Sequence, residues 1–137
     1  MRKKLAYGYA PELALSGEKV SLPSIEAWPN QHRGYEIRIE FPEFTSMCPK
    51  THLPDFGNLV LEYEPDKLCV ELKSFKYYLL AYRDVGIFCE NSVSRVLGDV
   101  VKAVKPVWAE MTGSFTARGG MRSTITARFG KRRIAAY

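Results

Sequence analysis

Between Glu90 and Lys105, Val93, Val96, Leu97, Val100, Val101 and Val104 recur at intervals of three and four, the period of a helix with one apolar face. These valines are core, not a binding stripe, and Pro106 stops the helix that carries them. Other segments have a different period. Tyr35-Glu36-Ile37-Arg38-Ile39-Glu40-Phe41 alternates apolar and charged residues, as a strand with one buried face requires. Asn58 to Tyr63 reads similarly, with Leu59, Leu61 and Tyr63 on one side and Val60 and Glu62 on the other. Val107 to Phe115 and Met121 to Phe129 are expected as two more strands, about a turn at Arg118-Gly119-Gly120 whose glycines permit positive φ. Ser74 is expected to cap a shorter helix through Lys76, Tyr77, Leu79, Leu80 and Tyr82, with Asp84 to Gly86 as its exit. The order of two strands, two helices, two strands predicts an α+β domain, an antiparallel sheet with both helices on one face.

A chain of 137 residues has room for one such core and not for two. Residues 1–33 read as an arm, because Pro11, Gly17, Pro23 and Pro29 prevent long regular elements there; residues 34–137 are then the single folded domain. No apolar run approaches the roughly 20 residues that span a bilayer. Pro11 and Glu12 interrupt what would be a signal core after the basic start, so a cytoplasmic address is expected. Three cysteines, Cys48, Cys69 and Cys89, are an odd and sparse set that suits a reducing compartment. The net charge of +5 fits nucleic acid or an anionic cofactor equally.

The segment Pro42 to Pro54, with three prolines, reads as an irregular loop between the first two strands, and it carries the candidate chemistry. Cys48 lies there, a loop placement after a strand that is expected to leave its sulfur accessible for nucleophilic chemistry. Cys69, between Leu68 and Val70, reads as a small buried side chain. Asp55 reaches Cys48 if the loop folds over, although a loop or capping aspartate is the plainer reading of its spacing. A metal site is not expected: His32 and His52 are far apart and no C-x-x-C pair occurs. Neither a P-loop nor G-x-G-x-x-G is present. Lys73 and Lys76, three apart at a helix start, project from one face toward a phosphate, and Arg118 beside two glycines offers another phosphate contact.

Together these segments resemble the 7-cyano-7-deazaguanine reductase family, the NADPH-dependent nitrile reductases of queuosine biosynthesis. The resemblance runs from Ile25 to Phe129 in four blocks: IEAWPNQH, FPEFTSMCPKTHLPD, VELKSFKYYL and FTARGG. The third is the most specific, because ELKSFKYY satisfies every position of the family signature E-(S/L)-K-(S/A)-x-K-(L/Y)-(Y/F/W). The resemblance implies a tunnelling fold, whose small sheets join into a barrel when subunits assemble. It also implies the short, single-module type: a ring-based homo-oligomer with sites at subunit interfaces. Cys48 would add to the nitrile carbon of 7-cyano-7-deazaguanine as a thioimide, Asp55 would protonate the nitrogen, and NADPH would supply hydride twice, giving the primary amine without a metal. By motif, Glu90 would read the deazaguanine edge. Val70, Glu71 and Leu72, with Cys89, would line the base pocket. Lys73, Lys76, Arg118 and Gly119 would hold the cofactor.

Two departures stand out. Many family members have His-Glu where this chain has Cys89-Glu90, and Gly-Gln where it has His52-Leu53. His52 is a candidate to take over from the missing imidazole, and Cys89 to form a reversible disulfide with Cys48. The competing readings are an amidinotransferase acting on cyano-deazaguanine in tRNA, to form archaeosine, and a non-catalytic nucleic-acid-binding module. GTP cyclohydrolase, another tunnelling-fold enzyme, would need zinc ligands that this sequence does not carry.

Overall fold

The computed structural model describes residue 17 and residues 19–132. The element order is β1 (Ala27–Pro29), β2 (Ile37–Met47), β3 (Pro54–Glu64), β4 (Leu68–Val70), α1 (Leu72–Leu80), a single 3-10 turn (Ala81–Asp84), α2 (Cys89–Val104), β5 (Trp108–Phe115) and β6 (Thr124–Gly130). Four strands form one antiparallel sheet in the order β2-β3-β5-β6, and β1 pairs with β4 in a separate two-stranded ladder. The expected sequence of two long strands, two helices and two long strands is present, with the helices between the two hairpins.

The alternation in β3 resolves as expected: Leu59, Leu61 and Tyr63 are buried. Against this face lies α2, which buries Val93, Val96, Leu97, Val100 and Val104. Gly113 in β5 is what lets helix and sheet approach so closely. A Cβ there would stand 2.6 Å from Val93 Cγ2 and 2.9 Å from the Phe115 ring. The helix ends at Lys105, left-handed at φ 46°, and Pro106 follows, unable to continue it.

Four expectations need correction. The strand expected to end at Phe41 continues to Met47. Its register shifts between Phe41 and Phe44, a bulge that takes Pro42, which has no N–H to give, out of the ladder. Thr45, Ser46 and Met47 then pair with Phe56, Asp55 and Pro54, so the irregular loop shrinks to residues 48–53. Glu71, not Ser74, caps α1: its carboxylate accepts the Ser74 N–H at 2.9 Å. The Ser74 hydroxyl is used elsewhere, accepting the Glu26 N–H at 2.8 Å. Ala27–Pro29, inside the segment read as an arm, forms a strand because β4 offers it a backbone edge. The last strand begins at Thr124 rather than Met121, because Met121 closes the turn.

Gly113→Val is expected to destabilise the fold by about 1–3 kcal/mol, through overpacking against Val93. A shifted urea midpoint at unchanged slope would register it.

Candidate active site

The β2–β3 hairpin brings Cys48 and Asp55 together without a long loop. The Cys48 N–H donates to the Leu53 carbonyl and the His52 N–H donates to the Cys48 carbonyl, each at 2.9 Å. Asp55 sits in the ladder opposite Ser46. Residues directly opposite in an antiparallel pair share a face, as do residues two apart along one strand. Ser46, Asp55 and, by continuation, Cys48 therefore point to the same side of the sheet. Asp55 is buried and Cys48 half-buried.

A second segment closes on this end. The Met47 N–H donates to Val85 O and the Ile87 N–H to Met47 O, both at 3.0 Å, a parallel bridge that seats residues 85–87 beside the hairpin. Two residues later α2 begins, so Cys89 arrives next to Cys48 and Asp55, with Glu90 following it. Burial pushes the Cys89 thiol up to about 12, aided by the negative charges of Asp55 and Glu90, a hydrogen bond to Asp55 and the proximity of Cys48. Cys89 is thus a protonated thiol held against the carboxylate. Glu90 is exposed in the first turn of α2, where the helix N-terminus favours a negative charge.

Arg118 comes from the β5–β6 turn. Gly119 and Gly120, at φ 57° and 80°, form its two central positions, closed by Arg118 N–H to Met121 O at 2.8 Å and Met121 N–H to Arg118 O at 3.0 Å. Positive φ at both central residues is the geometry that glycine supplies. Arg118 Nε then lies 2.9 Å from Asp55 Oδ1, and Nη2 donates to the Pro54 carbonyl. With a side chain still 41% accessible, the guanidinium keeps an edge toward solvent. Spacing alone offered no signal for this pairing with Asp55, since the two residues are 63 apart and only the sheet brings them together.

Not every expected residue joins this cluster. The Val70 N–H donates to the Tyr63 hydroxyl at 2.9 Å, and Tyr63 lies eight positions along β3 from Asp55, about 26 Å at 3.3 Å per residue. Val70, and with it the start of α1 at Glu71, Leu72 and Lys73, therefore lies away from Asp55, while Lys76, exposed further along α1, stands over Ile39, Phe41 and Glu43 of β2. Glu71 there spends its carboxylate on capping α1. Beside them is a groove of about 300 Å³ between α1 and β2, lined by Ile39, Phe41, Leu72, Phe75 and Leu79. His52 is exposed at the loop tip with φ 59°, an unusual value for a residue with a Cβ.

A family profile described as QueF-like protein matches residues 54–134. The NADPH-dependent 7-cyano-7-deazaguanine reductase of Elusimicrobium minutum is 58% identical over 127 residues, covering 92% of this chain and 96% of its own length. This chain belongs to the QueF-like family. The reductase of the same name from Chloroherpeton thalassium is 53% identical over 77% of this chain and 92% of its own. Among solved structures, the archaeosine synthase QueF-Like in the apo form superposes with a TM-score of 0.68 at 22% identity, over 74% of this chain and all of that one. That likeness bears on the fold alone, and the fold is the α+β tunnelling type of the QueF-like family. The positive φ at His52 also accounts for the glycine that many family members carry there. No described helix is long and apolar enough to cross a membrane.

The environments of the thiols predict selective alkylation. A group titrating near 12 is thiolate in about one molecule in ten thousand at pH 8, and Cys69 is buried. Limiting iodoacetamide at pH 8 should therefore modify Cys48 first. Labelling of Cys89 should rise steeply only as pH climbs toward 12, as read by peptide mass spectrometry.

Proposed function

We propose that this protein reduces the nitrile of 7-cyano-7-deazaguanine to the primary amine of 7-aminomethyl-7-deazaguanine with NADPH, by way of a thioimide on Cys48, in queuosine biosynthesis in the cytoplasm. The observation that carries the reading is the convergence of a half-buried cysteine and a buried aspartate at the closed end of one hairpin. A nitrile on an electron-rich ring accepts hydride poorly, and addition of the Cys48 sulfur to its carbon makes an easier acceptor. Asp55 passes a proton to the nitrile nitrogen as the C–S bond forms. Glu90, at the start of α2, accepts from the ring N–H and amino groups of the base. Two molecules of NADPH, bound in turn, would each supply one hydride on the way from nitrile to amine.

The cations that suit the anionic cofactor are Lys73 and Lys76, exposed and three apart on α1, and Arg118 with Gly119 on the two-glycine turn. Within one chain the start of α1 is tied through Val70 to the far end of β3 from Arg118. A second copy resolves the difficulty: the Val70–Lys76 corner of one subunit, set against the Cys48 end of another, completes one site. The outer edges of β6 and of β2, apart from the Met47 bridge to Gly86, have no strand partner among the described residues, as strands that join between subunits require. Residues 34–137 form the catalytic domain on this reading, with residues 1–33 as its arm. The archaeosine reading gains no specific support, because the relatives sharing more than half their residues with this chain carry the reductase name.

Purified protein mixed with 7-cyano-7-deazaguanine should gain one substrate mass on Cys48, since addition loses no atoms, and should oxidise NADPH. Cys48→Ala should do neither; an adduct on the wild type without NADPH oxidation would point to a transferase instead. The interfacial site makes a further demand. Cys48→Ala and Lys73→Ala/Lys76→Ala proteins, each inactive alone, should recover about a quarter of wild-type activity when refolded together in equal amounts, because random assembly pairs an intact cysteine with intact lysines at one site in four. No recovery would place both groups in the same chain.

A further inference from the structure

Ser46 is fully buried, and its hydroxyl oxygen has no hydrogen-bond partner among the described residues. A buried hydroxyl without a partner disfavours the folded state, so its presence here calls for a reason. Its position supplies one. Ser46 stands directly opposite Asp55 in the β2–β3 ladder and two residues before Cys48, on the face that all three share. Arg118 reaches Asp55 from the accessible turn, with Nε on Oδ1 at 2.9 Å. Ser46, across the ladder from the same residue, is itself out of reach of solvent.

We propose that Ser46 is a positioning residue, whose hydroxyl donates to the Asp55 carboxyl group as that group gives up its proton. The proposal rests on the roles of Cys48 and Asp55 given above. In the addition step the Cys48 thiol gives its proton to the Asp55 carboxylate, and the sulfur bonds to the nitrile carbon as one π bond of the nitrile opens. Asp55 hands that proton to the nitrogen and is left as carboxylate again, while Ser46 keeps its own proton and shares it with the anion. The hydroxyl has no partner in the resting protein, where Arg118 holds Asp55, and is engaged when the carboxylate re-forms with the nitrile bound, which stabilises the product side of the proton transfer.

A residue that merely packs and a residue that serves this step differ in what its removal does. Ser46→Ala should leave the urea midpoint unchanged or raise it, because an unsatisfied polar atom is removed. Rapid mixing with 7-cyano-7-deazaguanine in the absence of NADPH, followed by acid quench and intact mass, should show adduct formation slowed tenfold or more in Ser46→Ala. Ser46→Cys, which keeps a weak donor, should fall between, and it carries the test if the alanine variant does not fold. Binding of the nitrile to Cys48→Ala and to Cys48→Ala/Ser46→Ala should be equally tight. An adduct forming at the wild-type rate in Ser46→Ala overturns the proposal alone. So does a loss of stability and nitrile affinity that accounts for the slowing. A wild-type protein that forms no adduct overturns the reading of Cys48 and takes this proposal with it.

Discussion

Two backbone hydrogen bonds, from Met47 to Val85 and from Ile87 to Met47, decide where the chemistry of this chain can be. They dock the segment leaving the 3-10 turn onto the end of β2, and that docking sets the first residues of α2 beside the β2–β3 hairpin. Without it, Cys89 and Glu90 would begin a helix somewhere over the sheet, and the hairpin would present Cys48 and Asp55 to solvent. With it, a thiol that burial and neighbouring carboxylates keep protonated lies against Asp55. The same packing that covers the apolar face of the sheet therefore closes the site.

The electrostatics at this end are lopsided. Asp55 and Glu90 bring two carboxyl groups to one cluster, and Arg118 is the cation that meets Asp55 directly. Its hold depends on a turn that only glycines make easily, which links two residues of no apparent chemistry to the state of the acid. On α1 the balance reverses, with Lys73 and Lys76 exposed. On the proposed function, such a division of groups within one chain is what a site completed by a second copy would require.

Much of the fold was legible beforehand because its elements carry strong periods. The valine series specified α2 almost to the residue, and the alternation in Leu59, Leu61 and Tyr63 specified the buried side of β3. Errors fell where local and tertiary preferences competed. Pro42 looked like the end of a strand, yet a bulge let the ladder resume beyond it, and the resumed pairing is what fixes Ser46 against Asp55. Ser74 had the chemistry of a cap, but the carboxylate of Glu71 took the Ser74 N–H and left the hydroxyl to anchor Glu26.

The sequence by itself determined the class of fold, the family and the reactive residue types, because periodicity, turn glycines and a motif such as ELKSFKYY are properties of neighbouring residues. Only the tertiary structure decided who meets whom. It joined Cys48, Asp55, Cys89 and Arg118, residues from three separate hairpins and helix ends, and it held Val70 and the start of α1 away from Asp55. Register and docking are long-range choices, made by backbone pairing across the whole sheet, and spacing along the chain carries no record of them.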